Sequence, residues 1–171
     1  MEFIQIKNFE DFRVKNIYEN YCNTFPELER RSEKQFRQLF KNENVKVLSL
    51  LNELKFIGYL IIWELQGFVF LEHFEVFESY RNQKFGEEIL KELERDYFKI
   101  ILETEKENFN ENAKRRITFY LKNGFHQISD SYVQPSYGDG KTNLELLLFA
   151  NWEVENLDLI IENIYDVVYR K

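Results

Sequence analysis

The central third of the chain leaves the fewest options for how it folds. Three runs rich in β-branched and aromatic residues, at 45–51, 54–65 and 68–77, are separated only by Asn52-Glu53 and Gln66-Gly67. Breaks this short leave no room for a crossover and suit tight hairpins, so the three runs read as an antiparallel meander. Directly afterwards the apolar period lengthens from two to between three and four: Phe85, Ile89, Leu90 and Leu93 share one face of a helix that reaches Tyr97.

The flanks supply the remaining elements. A short strand over 3–6 precedes a helix over 9–21, on which Phe12, Ile17 and Tyr21 recur at near-helical spacing. A turn over 23–27 leads to a second helix from Ser32, with Phe36, Leu39 and Phe40 as its apolar stripe. After the meander and its helix come a strand at 99–104, a helix at 111–123 closed by Gly124, a strand opening at 125–128 and a last strand at 143–150. The order β-α-α-β-β-β-α-β-α-β-β predicts an α+β domain over residues 1–150, with a mixed, mostly antiparallel central sheet flanked by helices. Residues 151–171 form an additional C-terminal helix, with Leu157, Ile160, Ile161, Ile164 and Val168 on one side. That face is expected to cover the sheet or to make a dimer contact, so monomer and homodimer both stand.

Composition narrows the function classes. A hydrophobic fraction of 44% and an aromatic fraction of 17% provide the apolar surface that a packed core requires. The one cysteine, Cys22, excludes an intramolecular disulfide, and no apolar run approaches the roughly eighteen residues of a membrane span, so a cytoplasmic chain without membrane attachment is expected. A net charge of −7 argues against a nucleic-acid partner and is compatible with a cationic one. His73 and His126 are far apart in sequence and near no second cysteine, so no metal site is expected.

The segment with most chemistry is the turn after the third central strand, where a strand runs through Tyr80, Arg81, Asn82, Gln83 and Lys84 straight into the helix at Phe85-Gly86. A helix N-terminus presents unpaired N–H groups and the positive end of the macrodipole, which favours phosphate. On composition alone, an ordinary capped helix start is the commoner meaning of such a turn.

The string Val76-x-x-x-Tyr80-Arg81-x-x-x-Phe85-Gly86, followed by Ile89-Leu90, resembles motif A of the GNAT acetyltransferase superfamily, Q/R-x-x-G-x-G/A at the head of a long helix. Farther on, Arg116 to Phe125, with Tyr120 and Gly124-Phe125 at the family spacing, resembles motif B, A-x-x-x-Y-x-x-x-G-F. The resemblance covers most of the chain up to the closing strand; the final helix lies outside the minimal fold.

The resemblance implies an acetyl-CoA-dependent N-acetyltransferase acting on an amine, small molecule or peptide, by direct transfer. Its alternative is a catalytically inactive GNAT-fold domain that binds acyl-CoA or a protein. By position, Val76 takes the pantetheine arm, and the diphosphate falls to Arg81, Asn82, Gln83, Lys84, Phe85, Gly86 and Glu87. Lys84 stands where the family has its first motif glycine: its side chain either narrows the approach of phosphate to the backbone or supplies a compensating ammonium. Tyr120 matches the tyrosine that protonates the departing thiolate. The general base is sought among Glu72 and Glu75 on the strand before motif A and Glu103 and Glu105 at the end of the next, with Glu72 and Glu103 preferred. Strand alternation places Glu72 and Glu75 on opposite faces. His73 is a further candidate base, though a lone strand histidine is more often structural. Lys114, Arg115 and Arg116 read first as a solvated helix face, and Tyr132 and Tyr137 are expected on a loop bordering the acceptor pocket.

Overall fold

The computed structural model describes residues 1–169. The meander forms as three long strands after the N-terminal β1 (Glu2–Ile6): β2 (Val45–Asn52), β3 (Lys55–Leu65) and β4 (Phe68–Val76). The first hairpin turns on Glu53 and Leu54, both at positive φ (48° and 66°), the pairing a type I′ turn needs even without glycine. Between β1 and β2 lie α1 (Phe12–Thr24) and α2 (Glu33–Leu39), joined through a short 3-10 turn at Glu27–Glu29. Asp11 caps α1, and a Ser32–Gln35 capping box starts α2, so both helices begin where a side chain satisfies the first N–H groups. After β4 follow a 3-10 turn at Glu78–Tyr80, α3 (Phe85–Asp96), β5 (Ile100–Thr104), α4 (Glu111–Lys122), β6 (His126–Gln134), β7 (Leu144–Ala150) and α5 (Leu157–Ile164), which runs on as a π-turn over Tyr165–Tyr169.

The seven strands form one sheet in the order β1-β2-β3-β4-β5-β7-β6. Every neighbouring pair is antiparallel except β4 and β5, which α3 connects as a crossover. Helices α3 and α4 cover one face through Ile89, Leu90, Leu93 and Tyr120. Helices α1, α2 and α5 cover the other through Val14, Ile17, Tyr21, Phe36, Leu39 and Ile164, and Val168 of the π-turn joins them. Burial on both faces explains why β3 reads as a continuous apolar run from Ile57 to Trp63.

Two backbone irregularities shape the middle of the sheet. The register between β3 and β4 slips where Ile61 pairs with His73 but Ile62 pairs with Leu71, leaving Glu72 as the extra residue of a bulge. At the end of β4, Gly58 lies so close beneath the strand that a Cβ there would come within 2.1 Å of the Glu75 carbonyl oxygen. Only glycine lets β4 follow β3 this closely. Toward β5, by contrast, pairing is confined to Val69–Leu71 against Ile100–Leu102, and beyond it the two parallel strands separate.

A cleft between parting strands as candidate active site

The parting of β4 and β5 leaves main-chain groups of Phe74, Glu75 and Val76 without a strand partner on the β5 side, a suitable row for the amides of an extended ligand. Arg81 bends back over this opening: its Nε donates to the Val76 carbonyl oxygen at 2.9 Å and its Nη2 pairs with Glu75 at 3.3 Å.

Next to it, the β4–α3 turn holds two residues in the left-handed region, Asn82 (φ 61°) and Lys84 (φ 66°). Lys84 thus adopts the conformation for which glycine is preferred, so the backbone path is kept although the glycine is not. Among the described residues, the backbone N–H groups of Asn82, Gln83, Lys84, Phe85 and Gly86 have no acceptor, which makes a concave donor set at the head of α3. The N–H of Glu87 is already used, donating to the Lys84 carbonyl at 3.0 Å, which removes Glu87 from that set. Gly86 serves packing as well, because a Cβ there would sit 3.1 Å from the Phe119 ring of α4.

Tyr120 lies on the same side of the sheet, 5% exposed and flanked by the rings of Phe119, Phe125 and Phe149. Burial pushes its pKa to about 12, so it holds its proton near neutrality. Arg116, one helical turn earlier on α4, forms an ion pair with Glu105, and both charges reach Tyr120. Arg116 is therefore engaged at the cleft, whereas Lys114 pairs with Glu107 across an exposed surface and Arg115 is exposed.

The opposite face carries the carboxylates, and here the bulge corrects the expectation from alternation. The extra residue turns Glu72 and Glu75 to the same side: Glu72 meets Arg31, Trp63 and Tyr137, and Glu75 accepts from the Thr24 hydroxyl at 2.6 Å. Glu72 is fully engaged, accepting from Arg31 Nη2 at 2.8 Å, the Tyr137 hydroxyl at 2.7 Å and Trp63 Nε1 at 2.7 Å. Burial opposes its charge, but Arg31, His73 and these hydrogen bonds outweigh burial and hold the carboxyl below its usual range. His73 is 4% exposed, and burial lowers its pKa to about 4, so the ring is neutral; its Nε2 lies 3.2 Å from the Tyr21 hydroxyl, which itself accepts from the Arg31 N–H.

Glu103 has a different environment. Its Oε1 accepts from the Tyr169 hydroxyl at 2.9 Å, while its Oε2 is buried without a partner. Burial, reinforced by the charges of Glu72 and Glu29, raises its pKa to about 8 against the effect of the Tyr169 and Tyr132 hydroxyls. Tyr132 lies inside β6, not on a loop, and is 1% exposed with its hydroxyl beside Glu103. Tyr137 does lie on the β6–β7 loop and, with Arg31, Trp63 and Tyr169, lines a cleft of about 470 Å³ next to the carboxylates. Arg31, Trp63 and Tyr169 gave no sequence signal: an arginine or a C-terminal tyrosine far from a motif is usually a surface residue. Among the described residues no group of three or more acidic, histidine or cysteine side chains is arranged to hold a metal, and no helix is long and apolar enough to cross a membrane.

Residues 14–125, well over half of the chain, match the Acetyltransferase (GNAT) family. Among solved structures, a protein from Bacteroides thetaiotaomicron assigned to the GNAT family superposes with a TM-score of 0.90 at 26% identity, over 99% of this chain and 98% of that one. The ribosomal-protein-S18-alanine N-acetyltransferase of Escherichia coli shares the fold at 20% identity and a TM-score of 0.60, over 91% and 97% of the two chains. An aminoglycoside 6′-N-acetyltransferase complexed with coenzyme A does so at 13% identity and 0.61, over 91% and 100%. A search of curated proteins returned no match. With a strand splay, a donor-lined turn and a helix tyrosine arranged around it, and with this family matched from α1 to the start of β6, the chain belongs to the GNAT acetyltransferase family.

Proposed function

We propose that the protein transfers an acetyl group from acetyl-CoA to an amine, directly and without a covalent enzyme intermediate. The observation that carries this reading is the parting of β4 from β5 beside five N–H groups of residues 82–86 that lack acceptors. The splay fits a pantetheine arm and the turn fits a diphosphate. Acetyl-CoA, when bound, supplies the activated thioester.

The chain's own residues divide the proton work. Arg81 leaves Val76 and Glu75 to let the β4 backbone receive the pantetheine amides, and Lys84 sets its ammonium beside the diphosphate. Glu103 is the general base: its Oε2 is free and its pKa of about 8 suits proton uptake from an amine. Glu72 has no free lone-pair direction comparable to this, and serves to position Arg31, Tyr137 and Trp63. As the amine nitrogen bonds to the acetyl carbon, its proton goes to Glu103. The carbon–sulfur bond breaks, and the Tyr120 proton goes to the departing sulfur; solvent restores both groups.

The test couples binding to chemistry. Calorimetric titration should give saturable acetyl-CoA binding, and an amine panel should release free thiol. Tyr120→Phe should lower kcat by about a hundredfold while leaving acetyl-CoA affinity within about twofold. An unchanged kcat excludes the acid role, and binding without thiol release from any amine identifies an inactive acyl-CoA-binding domain.

A further inference from the structure

The C-terminal turn ends on the carboxyl read above as the general base. Helix α5 gives way to a π-turn over Tyr165–Tyr169, a rare widening of the helix that is found mostly at functional sites. Three contacts tie this turn down. The Tyr165 hydroxyl donates to the Val133 carbonyl at 2.6 Å, the Val168 carbonyl accepts from Arg31 Nη2 at 3.2 Å, and the Tyr169 hydroxyl donates to Glu103 Oε1 at 2.9 Å. The first two satisfy backbone carbonyls, as packing a helix end against a sheet requires. The third goes to a side chain that packing alone would not place there, because burying a carboxyl costs stability.

A second neighbour fixes the orientation of the Tyr169 hydroxyl. Gln134, buried on β6, donates from Nε2 to the Tyr169 oxygen at 3.2 Å, so the single hydroxyl proton is directed to Glu103. The chain Gln134–Tyr169–Glu103 is thereby polarised toward the carboxyl. The Tyr132 hydroxyl lies beside the same carboxyl, its ring 5.9 Å from that of Tyr165, and neither this hydroxyl nor Glu103 Oε2 has a hydrogen-bond partner among the described residues. These partners differ in kind from those of Glu72. The Arg31 guanidinium only donates, which locks Glu72 as the anion, whereas a hydroxyl donates to a carboxylate and accepts from a carboxylic acid. A base that cycles between the two forms needs a partner of the second kind.

We propose that Tyr169 is the positioning residue for Glu103: its hydroxyl holds Oε1, which leaves Oε2 to take the proton of the reacting amine, and the C-terminal turn is thereby part of the active site. This rests on the reading of Glu103 as general base, and deepens it by naming what holds that base. Tyr169 supports the proton transfer without entering it. Burial and the nearby carboxylates push its pKa well above the ordinary phenol value, so it keeps its own proton whether Glu103 is charged or neutral. The other charged groups that act on Glu103 are Glu72 and Glu29.

The experiment titrates the Glu103 carboxyl in the full chain by NMR of isotope-labelled glutamate carboxyls, with Glu103→Gln identifying the signal. In parallel, kcat/KM is followed against pH by thiol release from acetyl-CoA, with n-butylamine and an alanyl peptide as acceptors. Tyr169→Phe should move the Glu103 midpoint to higher pH and shift the rising limb of kcat/KM with it. At pH 7 the variant should lose about tenfold and regain most of that at higher pH, a recovery that loss of stability would not produce. Tyr165→Phe, which removes a hydroxyl from the same turn, should shift neither. An unmoved Glu103 midpoint in Tyr169→Phe, or an equal shift in Tyr165→Phe, overturns the proposal, and a loss of about a hundredfold in Glu103→Gln then leaves the base reading standing. Full activity in Glu103→Gln overturns the base reading and the proposal with it. The midpoint is read without any acceptor, so it decides the Tyr169 contact whichever amine reacts.

Discussion

Glu72 and Glu103 stand on strands that are neighbours in the sheet, yet their carboxyl groups are held in opposite ways. Glu72 receives three donors, one of them a guanidinium, and stays ionised; Glu103 has only the Tyr169 and Tyr132 hydroxyls about it and resists ionisation. The difference predicts a pH signature. Because the folded pKa of Glu103 lies above that of an unfolded glutamate, the folded state holds more protons between the two, and stability falls as pH rises toward about 8. Glu103→Gln should therefore show a flatter decline in thermal midpoint over that window. It should also lose the rising limb of kcat/KM that approaches its plateau near pH 8, together with about a hundredfold of activity. A pH–rate profile and parallel melting curves read both effects.

Lys84 poses a second question at this scale. Its left-handed backbone costs about 1 kcal/mol, and replacing it with glycine gives back a similar amount to the unfolded chain. Lys84→Gly should then change stability little. Since the backbone already follows the path a glycine would take, what the side chain contributes is charge. Acetyl-CoA affinity should drop several-fold in the variant and depend less steeply on salt, as titrations at low and high ionic strength would reveal.

At the scale of elements, one bulge and one glycine decide what β4 presents. The bulge at Glu72 turns both β4 carboxylates toward α1 and α2, and the close approach over Gly58 carries the end of β4 along β3 while β5 goes its own way. Gly58→Ala places a methyl 2.1 Å from the Glu75 carbonyl oxygen, and the strand must move. The expected loss is about 3 kcal/mol in urea denaturation, with weaker acetyl-CoA binding as the splay changes shape. Neither feature was legible in the sequence. Strict alternation was the natural expectation for Phe68 to Val76, and a single inserted residue reverses the face of everything on one side of it. The hairpins, the α3 face and the α4 closure at Gly124 were legible, because each follows from a local period or a local turn residue.

At the scale of the whole molecule, the C-terminal segment joins the site. The Val168 carbonyl accepts from Arg31 at 3.2 Å, Tyr169 holds Glu103, and Ile164 and Val168 lie in the core under α1 and α2. Arg31 is the junction: it pairs with Glu72 on the sheet, stacks 4.7 Å from the Tyr137 ring and 5.2 Å from that of Trp63, and reaches the C-terminal turn. Arg31→Met leaves Glu72 buried without its cation and should cost about 3–5 kcal/mol, measured by denaturant unfolding. The variant should also raise the apparent pKa of Glu72, so the destabilisation should be smaller at low pH, where that carboxyl is protonated.

The sequence by itself determined the order of elements, the meander and the two spaced motifs, because periodicity, turn residues and helix caps act over a few residues of chain. The tertiary structure decided which carboxylate is free and which is locked. Arg31, Glu72, Glu103, Tyr137 and Tyr169 come from five separate segments. The charge state of each depends on burial and on partners brought from across the fold, and no local pattern encodes those.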